Sequence, residues 1–167
     1  MDVSLRLDVT KSDAYKIIDW LEDKSVTKYL NEDVDTGYKL CHIIDEGNAN
    51  LLTYYLNQDG RFFLIDNTKE CIGFINLFTV VPQQEYEVVI AIGDPTNWGQ
   101  NYAKKALKKI MFETFIKWRI HRLTAKIKIQ NTRSLLLFEH LNFQKVKANE
   151  DTIFFSLDVY QYLANAK

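Results

Sequence analysis

The apolar residues of the chain recur with two periods, and these periods predict its strands and helices. Alternation of apolar and polar residues over 3–9 predicts a first strand, because side chains of a strand point alternately to its two faces. Ser12 and Asp13 then offer a helix cap, and apolar residues three and four apart predict a helix over 13–22. The longest periodic segment runs from Ala103 to Trp118 with lysines filling the gaps, which predicts an amphipathic helix.

The remaining elements follow from the same periods and from the turn residues that separate them. Helical pieces over 38–45 and 48–57 are separated near Gly47, and a late helix over 132–141 ends at Asn142. The order of these elements indicates a mixed α/β (α+β) fold, in which helices pack on one layer of sheet. Further strands are predicted over 61–65, 71–81, 85–92, 123–129, 143–146 and 153–159.

Length and composition point to one globular domain over residues 1–167. Hydrophobic residues make up 47% and charged residues 26%, a balance that argues against intrinsic disorder. The formal net charge of −1 lacks the basic excess of a dedicated nucleic-acid-binding protein. No transmembrane stretch and no signal-peptide pattern are found, so no membrane association is expected. The two cysteines, Cys41 and Cys71, fit reduced thiols in a cytoplasmic protein.

The sequence lacks the common catalytic and metal-binding motifs. The histidines, His42, His121 and His140, share no metal-like spacing, so no metal is expected. The sequence has no Gly-x-Ser-x-Gly turn of a serine hydrolase. It also has no Walker loop and no G-x-G-x-x-G dinucleotide-binding fingerprint.

Segment 94–103 joins a predicted strand to the long helix and has features of an anion site. The free N–H groups at a helix N-terminus and its positive dipole attract phosphate. Gly99 lets a ligand approach the backbone closely, and Asn101 tolerates a positive φ better than most residues. Most strand-loop-helix turns bind nothing, so an ordinary loop is the alternative on these features alone.

Two longer motifs resemble those of a known family. The run from Glu87 to Leu107, EVVIAIGDPTNWGQNYAKKAL, resembles the acyl-CoA-binding motif of the GNAT N-acetyltransferase superfamily. The run from Asn131 to Phe143, NTRSLLLFEHLNF, is similar to the second CoA-side motif of that superfamily. The opening of the chain resembles the branch that contains ribosomal-protein N-terminal and aminoglycoside N-acetyltransferases. The resemblance implies a mostly antiparallel central sheet with helices on both faces, splayed where CoA enters between its 87–92 and 123–129 strands.

The resemblance implies acetyl-CoA as the acyl donor and places its binding groups residue by residue. Trp98, Asn101 and Ala103 occupy the ordered positions of the Q/R-x-x-G-x-G/A pattern, with Asn101 in place of its first glycine. Asn131 and Ser134 match positions beside the pantetheine arm and the departing thiolate. The implied main-chain contacts are those near Ile92 with pantetheine and the N–H groups of Gly99, Gln100, Asn101, Tyr102 and Ala103 with the pyrophosphate.

The resemblance also names candidate catalytic residues. Glu87 matches a strand glutamate that the family often has, and it is the candidate general base. Glu85, two residues away on the same predicted face, is the second candidate base, and two solvated carboxylates at a strand start are the alternative. The usual general-acid tyrosine of the family falls at Phe138, which has no proton to give. Ser134 is the nearest hydroxyl candidate, and protonation of the thiolate by water or its departure as the anion is the alternative.

Charge is distributed unevenly along the chain. Segment 19–35 has six acidic side chains and two lysines, whereas segment 100–130 has nine basic side chains and one acidic residue, Glu113. In a GNAT-like arrangement the first segment would border the acceptor and the second the CoA phosphates. A cationic amine is therefore the expected acceptor, and ordinary solvated helix faces are the alternative.

The sequence thus predicts an N-acetyltransferase in which a primary amine attacks the thioester of acetyl-CoA directly. The acceptor is a protein N-terminus, an aminoglycoside or a small amine. The alternative is an acyl-CoA-binding sensor or subunit without catalytic activity, which Phe138 and Asn101 favour. An edge strand near 153–159 could pair in a homodimer.

Replacing Asp33 and Asp35 together by asparagine should raise the KM for a cationic acceptor, because an acidic rim attracts the ammonium group. The affinity for acetyl-CoA should stay unchanged. Steady-state kinetics with a polyamine as acceptor measure both quantities, and kinetics identical to the wild type would remove the acidic rim from the mechanism.

Overall fold

The computed structural model describes residues 2–30, 35–80 and 85–165. The strands are β1 (Ser4–Arg6), β2 (Gly60–Asp66), β3 (Cys71–Val80), β4 (Glu85–Ile92), β5 (Arg122–Lys128), β6 (Gln144–Ala148) and β7 (Thr152–Asp158). The helices are α1 (Lys11–Glu22), α2 (Lys24–Thr27), α3 (Thr36–Asp45), α4 (Leu52–Leu56), α5 (Tyr102–Phe112), α6 (Thr132–His140) and α7 (Val159–Asn165). Short 3₁₀ turns lie at Ala49–Leu51 and Pro95–Asn97.

The seven strands form one mixed sheet in the order β1-β2-β3-β4-β5-β7-β6. Pairs β1–β2, β5–β7 and β6–β7 are antiparallel, whereas β4 and β5 run parallel because α5 connects them. The predicted α/β fold with a mostly antiparallel sheet is therefore confirmed. The β4–β5 register covers the pairs from Glu85–Arg122 to Glu87–Thr124, which are the first residues of each strand.

Several predicted boundaries are corrected by the structure. The first strand ends at Arg6 rather than at residue 9, and α1 begins at Lys11 with Thr10, not Ser12, as its N-cap. Within the long amphipathic segment, α5 ends at Phe112, and a π-helical turn follows over Glu113–Lys117. The short helices α2 and α7 are not predicted from the sequence, because four and seven residues are too few to show a helical period.

The expectation of an edge strand near 153–159 is wrong. β7 lies between β5 and β6 in the sheet, and it pairs with β5 along the whole of β5. β6 takes the outer position, and all of its residues are exposed. Two lysines, Lys145 and Lys147, lie on β6 with a register shift between them. Lysines and bulges on an edge strand oppose pairing with another sheet, so this edge does not favour a homodimer.

The chain divides into two compact units, one over 1–77 and 89–106 and the other over 78–88 and 107–167. The expectation of one domain over 1–167 stays a prediction. In the first unit, apolar residues of α1, α3 and α4 are buried together with Phe62 of β2 and Phe74 of β3. The rings of Phe62 and Phe74 stack with centroids 5.1 Å apart. Segment 71–77 is buried at every position, as is typical of a strand covered on both faces.

In the second unit, aromatic residues of α6 and β7 are buried together with Phe143. Phe138 of α6 contacts the edge of Phe143 at 4.9 Å between centroids and lies 6.2 Å from Phe155 of β7. Phe115 stacks on Tyr162 at 4.9 Å, which anchors α7. Among the described residues, no helix has the length and apolar character needed to cross a membrane.

One guanidinium ties the start of the chain to the first helix and to β2. Arg6 donates from Nη1 and Nη2 to the two carboxylate oxygens of Asp13 at 2.9 and 3.1 Å. It also donates from Nε and Nη2 to Asp66 at 2.9 and 3.0 Å. Asp13 in turn accepts from the Thr10 N–H and hydroxyl, while its own N–H donates to the Thr10 hydroxyl. This capping box explains why α1 starts at Lys11.

The Arg6–Asp13 pair predicts an acid-sensitive contribution to stability. Burial acts to raise the pKa of Asp13, but hydrogen bonds from Arg6 and Thr10 outweigh it and lower that pKa from 3.8 to about 2. Since the folded pKa is lowered, the contribution is present above about pH 4 and is lost as the pH falls toward 2. It corresponds to roughly 2 kcal/mol of unfolding free energy.

Asp13→Asn should therefore lower the unfolding free energy at pH 7 and flatten its dependence on pH between about 5 and 2. Urea unfolding followed by circular dichroism measures both effects. Asp45→Asn makes the same change at an exposed position at the end of α3 and should leave the profile unchanged. If the Asp13 variant kept the wild-type slope, its carboxylate would not be the group that titrates.

Candidate functional site

The segment that follows β4 begins at a position where no side chain fits. A Cβ atom on Gly93 would lie 2.1 Å from Cδ2 of Trp20, so the indole of α1 packs directly on the backbone. The Gly93 N–H donates to the Ile72 carbonyl of β3 at 2.9 Å. Glycine is thus required here by close packing, and the start of the loop is held by α1 and β3.

The next residues form a tight turn around an aspartate. The Asp94 carboxylate accepts from the N–H and the hydroxyl of Thr96 at 2.8 and 2.7 Å. These hydrogen bonds lower the pKa of Asp94, so it stays ionised at neutral pH. The Gln100 side chain then donates to the Thr96 carbonyl at 2.8 Å. Gln100, one of the predicted cofactor-binding residues, therefore also braces the turn with its side chain.

Trp98 closes the loop onto the end of β4. Its indole N–H donates to the Ile92 carbonyl at 2.8 Å, and its ring is half-buried. This bond explains an aromatic residue at a position where the family pattern has Gln or Arg. It also engages the Ile92 carbonyl, so the predicted contact with pantetheine would use other main-chain groups of this stretch.

Two residues ahead of α5 have left-handed backbone conformations. Gly99 has φ +77° and Asn101 has φ +62°, and both residues are exposed. A Cβ atom on Gly99 would meet nothing within 4 Å, so the space beside this backbone is open. The positive φ of Asn101 agrees with the prediction that asparagine serves there in place of glycine.

The helix that follows presents N–H groups and positive charge. The Lys105 N–H donates to the Asn101 carbonyl at 3.1 Å, which is the bond of an N–H to the carbonyl four residues back. The N–H groups before it, such as that of Ala103, precede the bonding ladder of the helix and face its N-terminal end. Tyr102 is buried and anchors the first turn, while Lys104 and Lys105 are half-buried on it. Open backbone, helix dipole and lysines together suit a bound pyrophosphate.

The second unit holds the carboxylates proposed for proton transfer, and both are paired. The Glu85 carboxylate lies 3.3 Å from Nη1 of Arg122, and the Glu87 carboxylate lies 2.7 Å from Nζ of Lys126. Their side chains are 19% and 15% exposed. The alternative of two solvated carboxylates is therefore wrong, although their placement on one face of β4 is as predicted.

Sequence reasoning missed both cations of this cluster. Arg122 and Lys126 lie four residues apart on β5, and parallel pairing brings them to the face of Glu85 and Glu87. Alternation along the predicted 123–129 strand indicated that Lys126 would project from one face. The identity of its partner depends on the β4–β5 register, for which the sequence offers no signal. The Nε atom of Arg122 is buried and has no hydrogen-bond partner in the described part of the chain.

The second motif begins with a capped helix. The Asn131 side-chain oxygen accepts from the Ser134 N–H at 3.2 Å, which makes Asn131 the N-cap of α6. Ser134 is half-buried in the first turn, and its hydroxyl has no partner among residues 2–30, 35–80 and 85–165. That hydroxyl is thus available for a ligand, as the catalytic hypothesis requires.

Phe138 lies at the position where the family has its general-acid tyrosine. Phe138 is 2% exposed within the aromatic core of its unit, so at this position the chain uses the ring for packing.

Glu32 and Asp33 of the acidic segment lie outside the described residues. Asp35 precedes the first residue of α3 and is exposed, so its role toward an acceptor stays a prediction.

Comparison with known proteins identifies relatives of this chain. The family model described as "Acetyltransferase (GNAT) domain" matches residues 4–144. An uncharacterized N-acetyltransferase p20 of Bacillus licheniformis is 28% identical over 142 residues, which are 80% of this chain and 74% of that protein. An N-acetyltransferase 9-like protein of Nematostella vectensis is 36% identical over 110 residues, which are 58% of this chain and 56% of that protein.

A solved structure shows the same fold at low sequence identity. Spermidine N-acetyltransferase from Vibrio cholerae, in complex with CoA and spermine, superposes with a TM-score of 0.78. The superposition covers 97% of this chain and 98% of that chain, at 16% identity. At this identity the likeness shows the fold.

Proposed function

Because this chain belongs to the GNAT acetyltransferase family, whose model covers residues 4–144, we propose that it acetylates a primary amine of a cationic acceptor. The family makes the chain an acetyl-CoA-dependent acetyltransferase, which decides against the alternative of an acyl-CoA-binding sensor or subunit without activity. Acetyl-CoA supplies an acetyl group activated as a thioester.

The observation that carries this proposal is the backbone ahead of α5. Left-handed Gly99 and Asn101 turn the chain so that α5 starts immediately afterwards, and Gly99 adds no atom to the space beside it. N–H groups from Gly99 to Ala103 would hold the pyrophosphate of acetyl-CoA, with Lys104 and Lys105 adding positive charge. The Asp94 cap and the Trp98 indole brace this loop.

We assign the proton transfers to residues of the second unit. Glu87 accepts the proton of the attacking ammonium, because it matches the strand glutamate of the family and its side chain is mostly buried, at 15% exposed. A lysine-like amine depends strongly on such a base, because it is neutral in roughly one molecule per 2,000 at pH 7. Ser134 is the proposed donor toward the departing thiolate, because its hydroxyl has no other described partner.

The class of acceptor is inferred from charge. The acidic segment 19–35 would attract an ammonium group, and spermine in the Vibrio cholerae enzyme is one acceptor-like cation bound by this fold. Polyamines, aminoglycosides and peptide N-termini are therefore the amines to test. Release of the CoA thiol in the presence of each amine identifies the acceptor, and no release with any of them would contradict acetylation of a cationic amine.

Acetyl-CoA should bind one-to-one in titration calorimetry, and Asn101→Glu should weaken it by about tenfold or more, because a carboxylate would face the pyrophosphate. Asn142→Glu is the matched control. Asn142 is also an exposed asparagine with positive φ, at +64°, so the variant introduces the same charge and the same strain after α6.

Equal loss of affinity in both variants would attribute the effect to charge or folding rather than to the loop. Absence of binding to the wild-type protein would overturn the proposed cofactor site.

Glu87→Gln should lower kcat by about 10²-fold or more, most steeply below neutral pH, because fewer amines are then neutral without a base. Glu85→Gln removes the neighbouring carboxylate and its Arg122 pair, and it should retain most of the activity. The pH profile of kcat is measured with the amine that the panel identifies. An unchanged profile in the Glu87 variant would transfer the role to water.

A further inference from the structure

The peptide group between Ile92 and Gly93 is held on three sides. Its N–H donates to the Ile72 carbonyl of β3 at 2.9 Å, and its carbonyl accepts from the Trp98 indole at 2.8 Å. On the third side lies the Trp20 indole of α1. A Cβ atom on Gly93 would lie 2.1, 2.2 and 2.3 Å from Cδ2, Cε2 and Cγ of that indole, so the glycine meets the face of its five-membered ring.

This packing is a particular feature of the start of the loop, and it lies within one compact unit. The helix α1, the strand β3 and the loop up to Ala103 all fall within residues 1–77 and 89–106. Other glycines of this unit have more room. A Cβ atom on Gly37 would lie 4.0 Å from the Leu21 Cβ, which is ordinary contact, and a Cβ atom on Gly99 would meet nothing within 4 Å.

The loop connects the position of this peptide group to the backbone ahead of α5. The Trp98 N–H donates to the Pro95 carbonyl at 3.0 Å, so the chain turns back on itself. The Trp98 indole then donates to the Ile92 carbonyl, which fixes Trp98 relative to the Ile92–Gly93 peptide group. Gly99 follows immediately with its left-handed conformation. A shift of the Ile92–Gly93 peptide group would therefore move Gly99 and the N–H groups after it.

We propose that Trp20 is a positioning residue for acetyl-CoA, which acts through Gly93 on the backbone of residues 99–103. The inference rests on the proposed function, which assigns the N–H groups of 99–103 to the pyrophosphate. The indole sets where the Ile92–Gly93 peptide group lies, and that position sets the direction of those N–H groups. Hydrogen bonds weaken steeply when their angle departs from linear, so a small displacement lowers the affinity for acetyl-CoA.

Gly93→Ala should weaken the one-to-one binding of acetyl-CoA by about tenfold or more in titration calorimetry, because the added methyl group overlaps the Trp20 ring and displaces the loop. Gly37→Ala is the matched control. It adds the same methyl group in the same unit, at ordinary contact distance from Leu21, and it should bind acetyl-CoA with the affinity of the wild type.

Changes at Trp20 identify the contact through which the methyl group acts. Trp20→Leu alone should weaken binding, whereas Trp20→Phe keeps an aromatic ring and should retain most of the affinity. Combined with Gly93→Ala, Trp20→Leu should recover affinity relative to Gly93→Ala alone, because the smaller side chain leaves room for the methyl group. If Trp20 had only a general structural role, the two losses would add. Urea unfolding of each variant shows that it is folded under the conditions of the titration.

Wild-type affinity in Gly93→Ala, equal loss in Gly93→Ala and Gly37→Ala, or no recovery in the double variant would overturn the role of Trp20 and leave the proposed function intact. If Trp20→Leu does not fold, the comparison of Gly93→Ala with Gly37→Ala decides alone. Absence of acetyl-CoA binding to the wild-type protein would overturn the proposed cofactor site and this inference with it.

Discussion

The short parallel pairing of β4 with β5 is the constraint on which the candidate chemistry depends. Side chains two residues apart on a strand share a face, so the register that begins at Glu85 and Arg122 sets two carboxylates against two cations. The pairing extends over three residues of β4, and the strand then continues to Ile92 and the loop that is proposed to bind pyrophosphate. One strand thus carries the proposed base near its start and leads into the proposed cofactor site at its end.

Side chains fix the backbone of the loop after β4. Asp94 caps the turn, and the Trp98 indole N–H donates to the Ile92 carbonyl. The Trp20 ring packs directly on the backbone of Gly93. These contacts brace the backbone beside the left-handed residues Gly99 and Asn101 ahead of α5.

At the two positions that the family resemblance assigns to proton transfer, the side chains contact other side chains of the protein. Glu87 is engaged by Lys126, and the position of the usual tyrosine is a core phenylalanine packed on Phe143. The chain therefore has the strand glutamate of the family pattern at Glu87 and a phenylalanine in place of its tyrosine. The proposed donor is the hydroxyl of Ser134, one turn before Phe138 on α6.

The sequence by itself determined the features that depend on neighbouring residues. Elements with a strong period were predicted within a few residues, and asparagine at 101 and 142 indicated the left-handed positions, because turn chemistry acts over a few residues. Tertiary structure decided the rest. The partners of Glu85 and Glu87 depend on the register of strands that are distant in the chain, and the outer position of β6 depends on which strand of a hairpin meets β5. The cap of α1 lies at Thr10 because Thr10 and Asp13 form a capping box, a local pattern that the choice of Ser12 overlooked. Only the fold brings the Arg6 guanidinium between Asp13 and Asp66.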